Sequence, residues 1–424
     1  MTSPENTLVD KKPVKKLPEH APMEQFPVRD NVLMIAGEPI TDFLNRVGKT
    51  PFYVYDKAII TQQVEKLRTH LPERIHLHYA MKANPMPDVV HYLSTLTDGL
   101  DVASHFELGI ALATGIAPKN ISFAGPGKSD EDLEAAITAG VIINVESRGE
   151  LERIAVIAKS HNARPPIAIR VNPDFELKSS GMKMAGGAKP FGIDAEVVPE
   201  LLQALPNFPV DFQGFHIFCG SQNLKEEAII DAQTKTFSLA AQLIKASPLP
   251  VRWINIGGGL GVPYFPGEQR LDLTPIGENL ERLLIQHQAI IGEDTEVVME
   301  LGRYLVAESG LYVSKVEDVK ISRGETFVIT NGGLHHHLAA SGNFGQVIRK
   351  NYPTCVANRM TSNDKEIVSI VGPLCTPLDI LANKMLLPKV QRGDLIGLYQ
   401  SGAYGLSASP TRFLGHPQIH EYLV

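Results

Sequence analysis

Cysteine is scarce in this sequence. Three cysteines occur among 424 residues, namely Cys219, Cys355 and Cys375, and no two of them form a Cys-x-x-Cys pair. An odd number of widely separated cysteines argues against a disulfide framework and against a cysteine-based zinc site. We therefore expect neither feature in the fold.

The sequence also lacks long apolar runs and any strong excess of charge. No stretch approaches a membrane span, and no apolar run follows the lysines near the N-terminus, so neither a transmembrane helix nor a secretory signal peptide is predicted. Forty basic and forty-seven acidic residues give a net charge of −7, which gives no reason to expect a nucleic acid or a membrane as partner. We expect a cytoplasmic location.

The length of 424 residues is too great for one small domain and predicts two. Apolar residues make up 43% and charged residues 21%, as in ordinary soluble globular proteins. Residues 1–25 combine four lysines with prolines and acidic residues, and we expect them to form a disordered tail.

Short apolar or β-branched segments alternate with helical periodicity between about residues 50 and 300. Ser129–Asp132 and Ser147–Glu150 have the spacing that satisfies free amides at a helix N-terminus. Eight strands over this length, each followed by a connection that usually holds a helix, favour a parallel (β/α)8 barrel over an open doubly wound sheet. The predicted strands are HLHYAM (76–81), LDVAS (100–104), ISFAG (121–125), IINV (142–145), PIAIRV (166–171), FQGFHIF (212–218), WINIG (253–257) and EVVMEL (296–301).

The pattern changes after residue 310. Strand-like segments follow one another there without a long helical stretch, which predicts an all-β second domain. The strand-like segment near 31–42 precedes the barrel, and we expect it to join the C-terminal sheet. The predicted limits are 1–25 for the tail, 26–48 for the strand contributed to the β domain, 49–310 for the barrel and 311–424 for a β-sandwich domain.

Polar side chains collect at the carboxyl ends of the predicted barrel strands, where such barrels place their active sites. Lys82 follows the first strand, Asp101 lies in the second, His216 in the sixth and Glu300 in the eighth. In a dry pocket a lysine has a lowered pKa and attacks aldehydes, and a carboxylate that meets a pyridine nitrogen keeps it protonated. His216 suits either a stacked position on a cofactor ring or a hydrogen-bonded position on a half-buried strand. Glu300 could pair with a pyridine nitrogen or form a salt bridge with Arg303 near the barrel rim.

Three further motifs have two interpretations each. The triple glycine 257–259 follows the seventh strand, where exposed amides accept phosphates, although such a run is more often a tight turn. Cys375 is either a buried small residue or a reactive thiol, and the sequence alone favours the first. His335, His336 and His337 cannot all face one ion from a single strand, so no metal site is predicted.

Eight ordered motifs connect the chain with a known family. They are YAMKAN (79–84), DVAS (101–104), FGID (191–194), HIFCGSQ (216–222), GGGLG (257–261), ELGR (300–303), GPLC (372–375) and SGAY (401–404). With them the chain resembles, from about residue 30 onward, the fold-type III pyridoxal-phosphate decarboxylases, which include the diaminopimelate, ornithine, arginine and carboxynorspermidine decarboxylases. The resemblance implies an alanine-racemase-like (β/α)8 barrel with a β-sandwich, and a head-to-tail homodimer with shared active sites.

The resemblance also implies roles for individual residues. Lys82 would hold pyridoxal 5'-phosphate as a Schiff base, His216 would stack on the ring, and Glu300 would pair with the pyridine nitrogen. Cys375 would reach into the partner's active site as a proton donor. Asp101 and Ala103 would support Lys82 and the ring, Gly258, Gly259, Gly302 and Arg303 would line the phosphate with Ser221 and Tyr404 nearby, and Arg303, Asp379 and Tyr404 would contact the substrate.

The implied reaction removes the α-carboxyl group of an amino acid as CO2. The substrate amine displaces Lys82 from the aldehyde, the carbanion left by CO2 delocalises into the ring, and Cys375 or Lys82 returns a proton to give an amine. Residues 178–193 form a Gly- and Lys-rich loop that is a candidate lid.

A departure from the family pattern bears on the substrate. Diaminopimelate decarboxylases usually carry a glutamate directly after the cysteine to hold the far amino group, whereas here Thr376 follows Cys375 and Asp379 comes fourth. The segments 332–346 and 372–379 are more similar to a biosynthetic subgroup that acts on carrier-linked amino acids or on natural-product intermediates, including those of siderophores.

We therefore expect an amino-acid conjugate as substrate, either a small molecule or an aminoacyl group bound to a carrier protein. The alternative is diaminopimelate decarboxylase of lysine biosynthesis, which converts meso-diaminopimelate to L-lysine. An amino-acid racemase would need a base on the opposite ring face. A non-catalytic regulator would be expected to lose Lys82, Cys375 or the glycines, and a lone cofactor-binding barrel would not need the second domain.

Overall fold

The computed structural model of the protein describes residues 19–176 and 182–424. Most of the predicted tail (1–18) and the first part of the candidate lid (178–181) lie outside the described residues. Within the two described ranges, no helix has both the length and the apolar character needed to cross a membrane.

The end of the predicted tail is packed against the rest of the chain. The Glu19 carbonyl accepts from the Gly267 amide at 2.8 Å, and Nε2 of His20 lies 2.8 Å from the Asn351 carbonyl. The prediction of a disordered tail is therefore wrong for residues 19–25. Ala21 is buried and holds this segment on the protein, although the polar composition of the segment had predicted a solvent-exposed tail.

Eight parallel strands close into a barrel, as predicted. Each strand pairs with the next one along the chain, and the eighth pairs with the first. Their side chains are almost all buried, since strands of such barrels face packed side chains on one side and helices on the other. The strands are Ile75–Ala80, Gly99–Val102, Ile121–Phe123, Ile142–Val145, Pro166–Asn172, Asp211–Ile217, Trp253–Asn255 and Glu296–Leu301.

Helices connect the strands, and two of them begin with the predicted caps. Ser129 and Asp132 form a reciprocal capping box, and the Ser147 hydroxyl accepts from the Glu150 amide. The α-helices are Ile40–Val47, Lys57–His70, Pro87–Ser94, His105–Ala113, Asp130–Ala139, Arg148–Ser160, Val198–Ala204, Glu226–Ala246, Thr274–Ile291 and Arg303–Val306. Short 3₁₀ turns lie at Met81–Ala83, Pro118–Asn120, Leu205–Asn207, Ala307–Ser309, Leu406–Ala408 and Phe413–Gly415.

The second domain is built on an eight-stranded sheet. Its longest strand, Gly310–Ser322, runs directly on from the last barrel segment and pairs with three others. One of the three, Phe52–Tyr55, comes from before the barrel and also pairs with the C-terminal strand His420–Leu423. The remaining strands are Glu325–Thr330, Thr354–Val356, Lys365–Val371, Ile380–Pro388 and Leu395–Leu398.

The segment near 31–42 does not pair with this sheet, so that part of the prediction is wrong. Val32–Ile35 forms a separate three-stranded sheet with Val28–Arg29 and Glu38–Pro39. The chain reverses tightly on both sides of the strand, at Asn31 (φ 67°) and Gly37 (φ 83°), so the strand pairs with the segments next to it in sequence. One hydrogen bond reaches the second domain, where the Ala357 carbonyl accepts from the Leu33 amide at 2.8 Å. The apolar side of the strand still packs on the core of the second domain.

Candidate active site

Lys82 lies in a cavity of about 170 Å³ at the carboxyl ends of the barrel strands. It stands in the 3₁₀ turn that follows the first strand, and its Nζ lies 5.6 Å from the centre of the Phe218 ring. Asp101, Ala103, His216 and Glu300 line the same cavity. The structure therefore brings five of the predicted residues together around one space.

Glu300 and His216 form a buried pair in this cavity. Oε2 of Glu300 lies 3.2 Å from Nε2 of His216 and accepts a hydrogen bond from Asn255 at 3.0 Å. Burial raises the pKa of Glu300, but the positive charges of His216, Lys82 and Arg170 outweigh it and bring that pKa to about 2. The carboxylate is therefore ionised at neutral pH, as a partner for a protonated ring nitrogen must be.

Asp101 belongs to a second carboxylate–histidine pair that the sequence reasoning missed. Its Oδ1 lies 3.2 Å from Nδ1 of His78 and accepts from the Ser122 hydroxyl at 2.6 Å. Burial lowers the pKa of His78, but Asp101 raises it by more, so the net shift is upward. Gly99 leaves room for the imidazole, since a Cβ there would lie 2.2 Å from Nε2 of His78.

The strand register explains why these side chains meet. Ala80 pairs with Asp101, and His78 pairs with Gly99 on the neighbouring strand. Since side chains alternate along a strand, His78 points to the same side of the barrel as Ala80, two residues further on. The signal for this pair in the sequence was a histidine four residues before Lys82.

The glycines at the ends of the seventh and eighth strands leave the backbone open. Gly257 and Gly259 have φ of 69° and 91°. A Cβ on Gly258 would lie 2.0 Å from the Glu300 carbonyl oxygen, and one on Gly302 would lie 2.9 Å from the Ala80 carbonyl oxygen. Glycines that leave no room for a Cβ allow a phosphate group to approach the backbone closely, so the residues present fit pyridoxal phosphate.

Arg303 connects the barrel with aromatic side chains near the site. Its Nη1 donates to the Tyr264 hydroxyl at 3.0 Å, and its guanidinium lies 4.6 Å from the centre of the Tyr404 ring. Burial lowers the pKa of Arg303, but the two tyrosines raise it by more, so the side chain keeps its charge. This fixed charge beside Gly302 suits a phosphate or carboxylate ligand.

Tyr404 comes from the second domain and is tied to the loop of Lys82. Its amide donates to the Ala83 carbonyl at 2.7 Å, and Asn84 donates to the Gly402 carbonyl at 3.1 Å. Tyr404 itself has a φ of 52°, which few non-glycine residues adopt. Two hydrogen bonds therefore join the SGAY segment of the second domain to the loop that carries Lys82.

Ser221 and Cys375 lie apart from the residues that line the Lys82 cavity. Ser221 belongs to a short strand that pairs with Met182–Lys183, which lies in the described part of the candidate lid. Cys375 is a free, exposed thiol in the second domain. Neither side chain is among those that line the cavity within a single chain.

Asp379 is buried below the loop that carries Cys375. Its two carboxylate oxygens accept from the Leu334 amide at 2.6 Å and the Leu374 amide at 2.9 Å, and the residue is 2% exposed. Burial raises its pKa although the two amides act in the opposite direction. Within one chain this carboxylate holds two loops together and does not face the cavity.

The three consecutive histidines are packed inside the second domain. Burial lowers the pKa of His335 to about 4 and the pKa of His336 and His337 to about 3. His337 Nε2 lies 3.0 Å from the Ser401 hydroxyl, and the Tyr53 hydroxyl donates to the His336 carbonyl. These contacts link the histidines to the base of the SGAY segment.

Eight cavity-lining residues were absent from the predicted set, among them Arg170, Met184 and Phe191. Arg170 lies near the carboxyl end of the fifth strand, and Met184 and Phe191 come from the segment after it. Arg170 was visible in the sequence as a charged residue at a strand end, by the same rule that selected Lys82 and Glu300. Phe191 was present in the sequence only as part of the FGID motif, and Met184 gave no signal, because loops fold back by contacts that no local pattern encodes.

The comparisons with known proteins agree with this geometry. Residues 57–307 match the pyridoxal binding domain of the pyridoxal-dependent decarboxylases. A decarboxylase of the L-glutamyl BtrI acyl-carrier protein from Niallia circulans is 37% identical over 90% of each chain. A 2-((L-alanin-3-ylcarbamoyl)methyl)-2-hydroxybutanedioate decarboxylase from Staphylococcus aureus is 31% identical over 86% of this chain and 92% of that protein.

A solved structure shows the same architecture. Diaminopimelate decarboxylase from Helicobacter pylori, complexed with L-lysine, superposes with a TM-score of 0.81 at 29% identity, over 91% of this chain and 94% of that one. The chain is therefore a pyridoxal-phosphate-dependent carboxy-lyase with the barrel and sheet domain that the resemblance implied, and it belongs to the pyridoxal-dependent decarboxylase family.

Proposed function

We propose that this decarboxylase acts on an amino acid whose far end is joined to a carrier protein or to another small molecule. The observation that carries the proposal is the state of Asp379, the only carboxylate in the segment 374–379. Both of its oxygens are occupied by backbone amides inside the protein. A free ammonium group at the far end of a substrate needs an acidic partner, and this segment has no free one to offer.

Two relatives support this substrate class by their names. One acts on a glutamyl group attached to an acyl-carrier protein, and the other on an alanin-3-yl unit joined through a carbamoyl group to a hydroxybutanedioate. Both names describe an amino-acid unit that is joined to a second group, a carrier protein in one and a hydroxybutanedioate in the other. We infer that the substrate of this chain is likewise an amino-acid unit joined to a second group.

The residues around the cavity have distinct roles in this proposal. When bound, pyridoxal phosphate supplies an aldehyde that takes up an amine and a ring that accepts the electrons left as CO2 departs. Lys82 would hold the cofactor through its aldehyde, ionised Glu300 would keep the ring nitrogen protonated, and His216 would cover the ring. The backbone at 257–259 and Arg303 would hold the phosphate, Gly302, Ser221 and Tyr404 would lie near it, and Asp101 and Ala103 would support Lys82.

We propose a homodimer in which Cys375 serves the site of the partner subunit. The thiol is exposed and free in the single chain, and the Leu374 amide directly before it is held by Asp379. The thiol donates a proton to the substrate carbon after CO2 has left. In this arrangement Asp379 positions the Cys375 loop, and Arg303 and Tyr404 remain as the substrate-contacting residues.

The alternative substrate is meso-diaminopimelate. It is favoured by the extent of the structural match to Helicobacter pylori diaminopimelate decarboxylase, which covers 91% of the chain. The arrangement of Asp379 favours the conjugated substrate over it.

The test is CO2 release by purified, cofactor-loaded protein from matched pairs of substrates. One pair is free L-glutamate and glutamate linked to an acyl-carrier protein, and another is 2,3-diaminopropionate and its citryl amide, with meso-diaminopimelate, ornithine, arginine and lysine alongside. We expect release from a conjugate and none from its free counterpart. Fast release from meso-diaminopimelate would refute the proposal and place the chain in lysine synthesis.

A further inference from the structure

One buried carboxylate outside the predicted set joins three parts of the cavity wall. Glu146 follows the fourth barrel strand, and its side chain is 3% exposed. Its Oε1 accepts from the Gly125 amide at 2.6 Å and from Nη1 of Arg170 at 2.7 Å. Its Oε2 accepts from the Gly192 amide at 3.1 Å.

Each partner of Glu146 belongs to a different segment that faces the Lys82 cavity. Gly125 lies in the loop after the third strand and lines the cavity, and Arg170 lines it from the fifth strand. Gly192 follows Phe191, whose ring also lines the cavity. A single side chain therefore sets the distances between three walls that are far apart in sequence.

The charge of Arg170 depends on this carboxylate for its position. The guanidinium lies 5.1 Å from the centre of the Phe191 ring, and it is one of the charges that lower the pKa of Glu300. Burial raises the pKa of Glu146, but Arg170 and Lys128 lower it by more, so Glu146 is ionised. The wall of the Lys82 cavity thus contains a second cation, Arg170, whose position is fixed by Glu146.

The backbone of Glu146 is held in turn by a buried ion pair between Glu150 and Lys128. Its amide donates to Oε2 of Glu150 at 2.7 Å, and the other oxygen of Glu150 lies 2.9 Å from Nζ of buried Lys128. Lys128 also donates to the Gly125 carbonyl at 2.6 Å. This second layer restrains both Glu146 and the Gly125 loop, which is the support that a precise binding site requires.

We propose that Glu146 is a positioning residue that sets the shape of the cofactor cavity and the place of the Arg170 charge within it. The inference rests on the cofactor of the family, pyridoxal phosphate, and does not depend on the proposed substrate. Three donors converge on Glu146, so the site needs a group that only accepts hydrogen bonds. Glutamine fits the same volume but must turn an NH2 group towards one of the three donors.

The test compares E146Q with the matched variant D394N. Asp394 is likewise a buried carboxylate that holds an arginine and a backbone amide, at 3.1 Å from Nε of Arg359 and 2.8 Å from the Gln391 amide, but it lies in the second domain. The dissociation constant of pyridoxal phosphate is measured by absorbance titration of each cofactor-stripped protein without substrate. Circular dichroism in the visible band reports the orientation of the bound cofactor, and thermal unfolding reports stability.

We expect E146Q to raise the dissociation constant roughly tenfold or more and to change the visible dichroism, whereas D394N stays within about twofold at a comparable loss of melting temperature. Equal binding by E146Q and wild type would overturn the proposal, as would equal weakening by D394N. If E146Q does not fold, R170K is measured in its place, because lysine keeps the positive charge but lacks the planar guanidinium that pairs with Glu146. Weaker binding of pyridoxal phosphate by R170K would support the proposal, and unchanged binding would overturn it. None of these readings depends on the substrate, so a wrong substrate assignment would leave them intact.

Discussion

The charge of Glu300 is the feature whose removal should affect catalysis most specifically. Glu300→Gln keeps the shape of the side chain and leaves an oxygen to accept from Asn255, which lies 3.0 Å away. It removes the negative charge that faces His216 and the bound ring. The ring nitrogen then loses the partner that keeps it protonated, and the electrons left by CO2 are taken up less readily.

The structure sets both the size and the pH dependence of this effect. Loss of one preorganised electrostatic group costs roughly 10²- to 10³-fold in kcat. The pKa of Glu300 falls from 4.5 to about 2, so the group stays ionised throughout the working range of the enzyme. A folded-state pKa below the unfolded value means that Glu300 stabilises the fold above about pH 4.5 and that this contribution is lost as the pH falls towards 2.

The assay is the kcat of CO2 release as a function of pH, with E296Q as control. Glu296 begins the same strand and lies 3.3 Å from His76, so it offers a solvent-exposed carboxylate–histidine pair for comparison. We expect E300Q to lose at least about 10²-fold at every pH and E296Q to stay within about twofold. A kcat for E300Q within a few-fold of wild type, or an acidic limb near pH 4.5 that vanishes in E300Q, would refute the reasoning.

Three further changes separate the roles of other residues. Cys375→Ala should slow turnover without altering the visible absorbance of the bound cofactor, and normal turnover would remove the thiol from the mechanism. Asp379→Asn should lower the unfolding free energy by about 1–2 kcal/mol, since one amide loses its acceptor, and should leave KM within about twofold; a large rise in KM at unchanged stability would restore it as a substrate contact. His78→Gln should destabilise the protein by about 3 kcal/mol in denaturant titrations. Because the pKa of His78 is raised by folding, the deficit should be full below about pH 6.5 and shrink as the pH rises above the folded-state pKa, and a deficit that grows with pH would contradict the pairing.

Much of the fold was predictable because the barrel repeats one local pattern. Each strand is an apolar segment bounded by turn residues, and the chain order of the strands is also their spatial order. The polar residues at strand ends were visible for the same reason. Lys82, Asp101, His216 and Glu300 stand at the carboxyl ends of strands, and the barrel alone suffices to bring them together.

What could not be predicted depends on contacts between distant segments. Phe52–Tyr55 pairs with Gly310–Ser322, although more than 250 residues separate them. Neither sequence indicates with which other strand it pairs. Val32–Ile35 has the same strand-like character, but its strand partners are the short segments on either side of it. Local periodicity identifies a strand but does not choose between such partners.

The same limit applies to the site. Glu146 lies at a strand end, as the predicted residues do, but its importance comes from three donors that converge from separate segments. Asp379 was predicted as a substrate contact from its spacing after Cys375, whereas its burial between two backbone amides is a property of tertiary packing. The type of a residue is evident in the sequence, but the direction in which its side chain points is not.

The most direct measurement locates the cofactor on the chain. The holoprotein is reduced with borohydride, which fixes a Schiff base as a stable amine, then digested and mapped by mass spectrometry. The structure predicts a phosphopyridoxyl group on the peptide that carries Lys82, and no such adduct or visible cofactor band in Lys82→Ala. An adduct on a different lysine, or an undiminished cofactor band in Lys82→Ala, would contradict the assignment of the site.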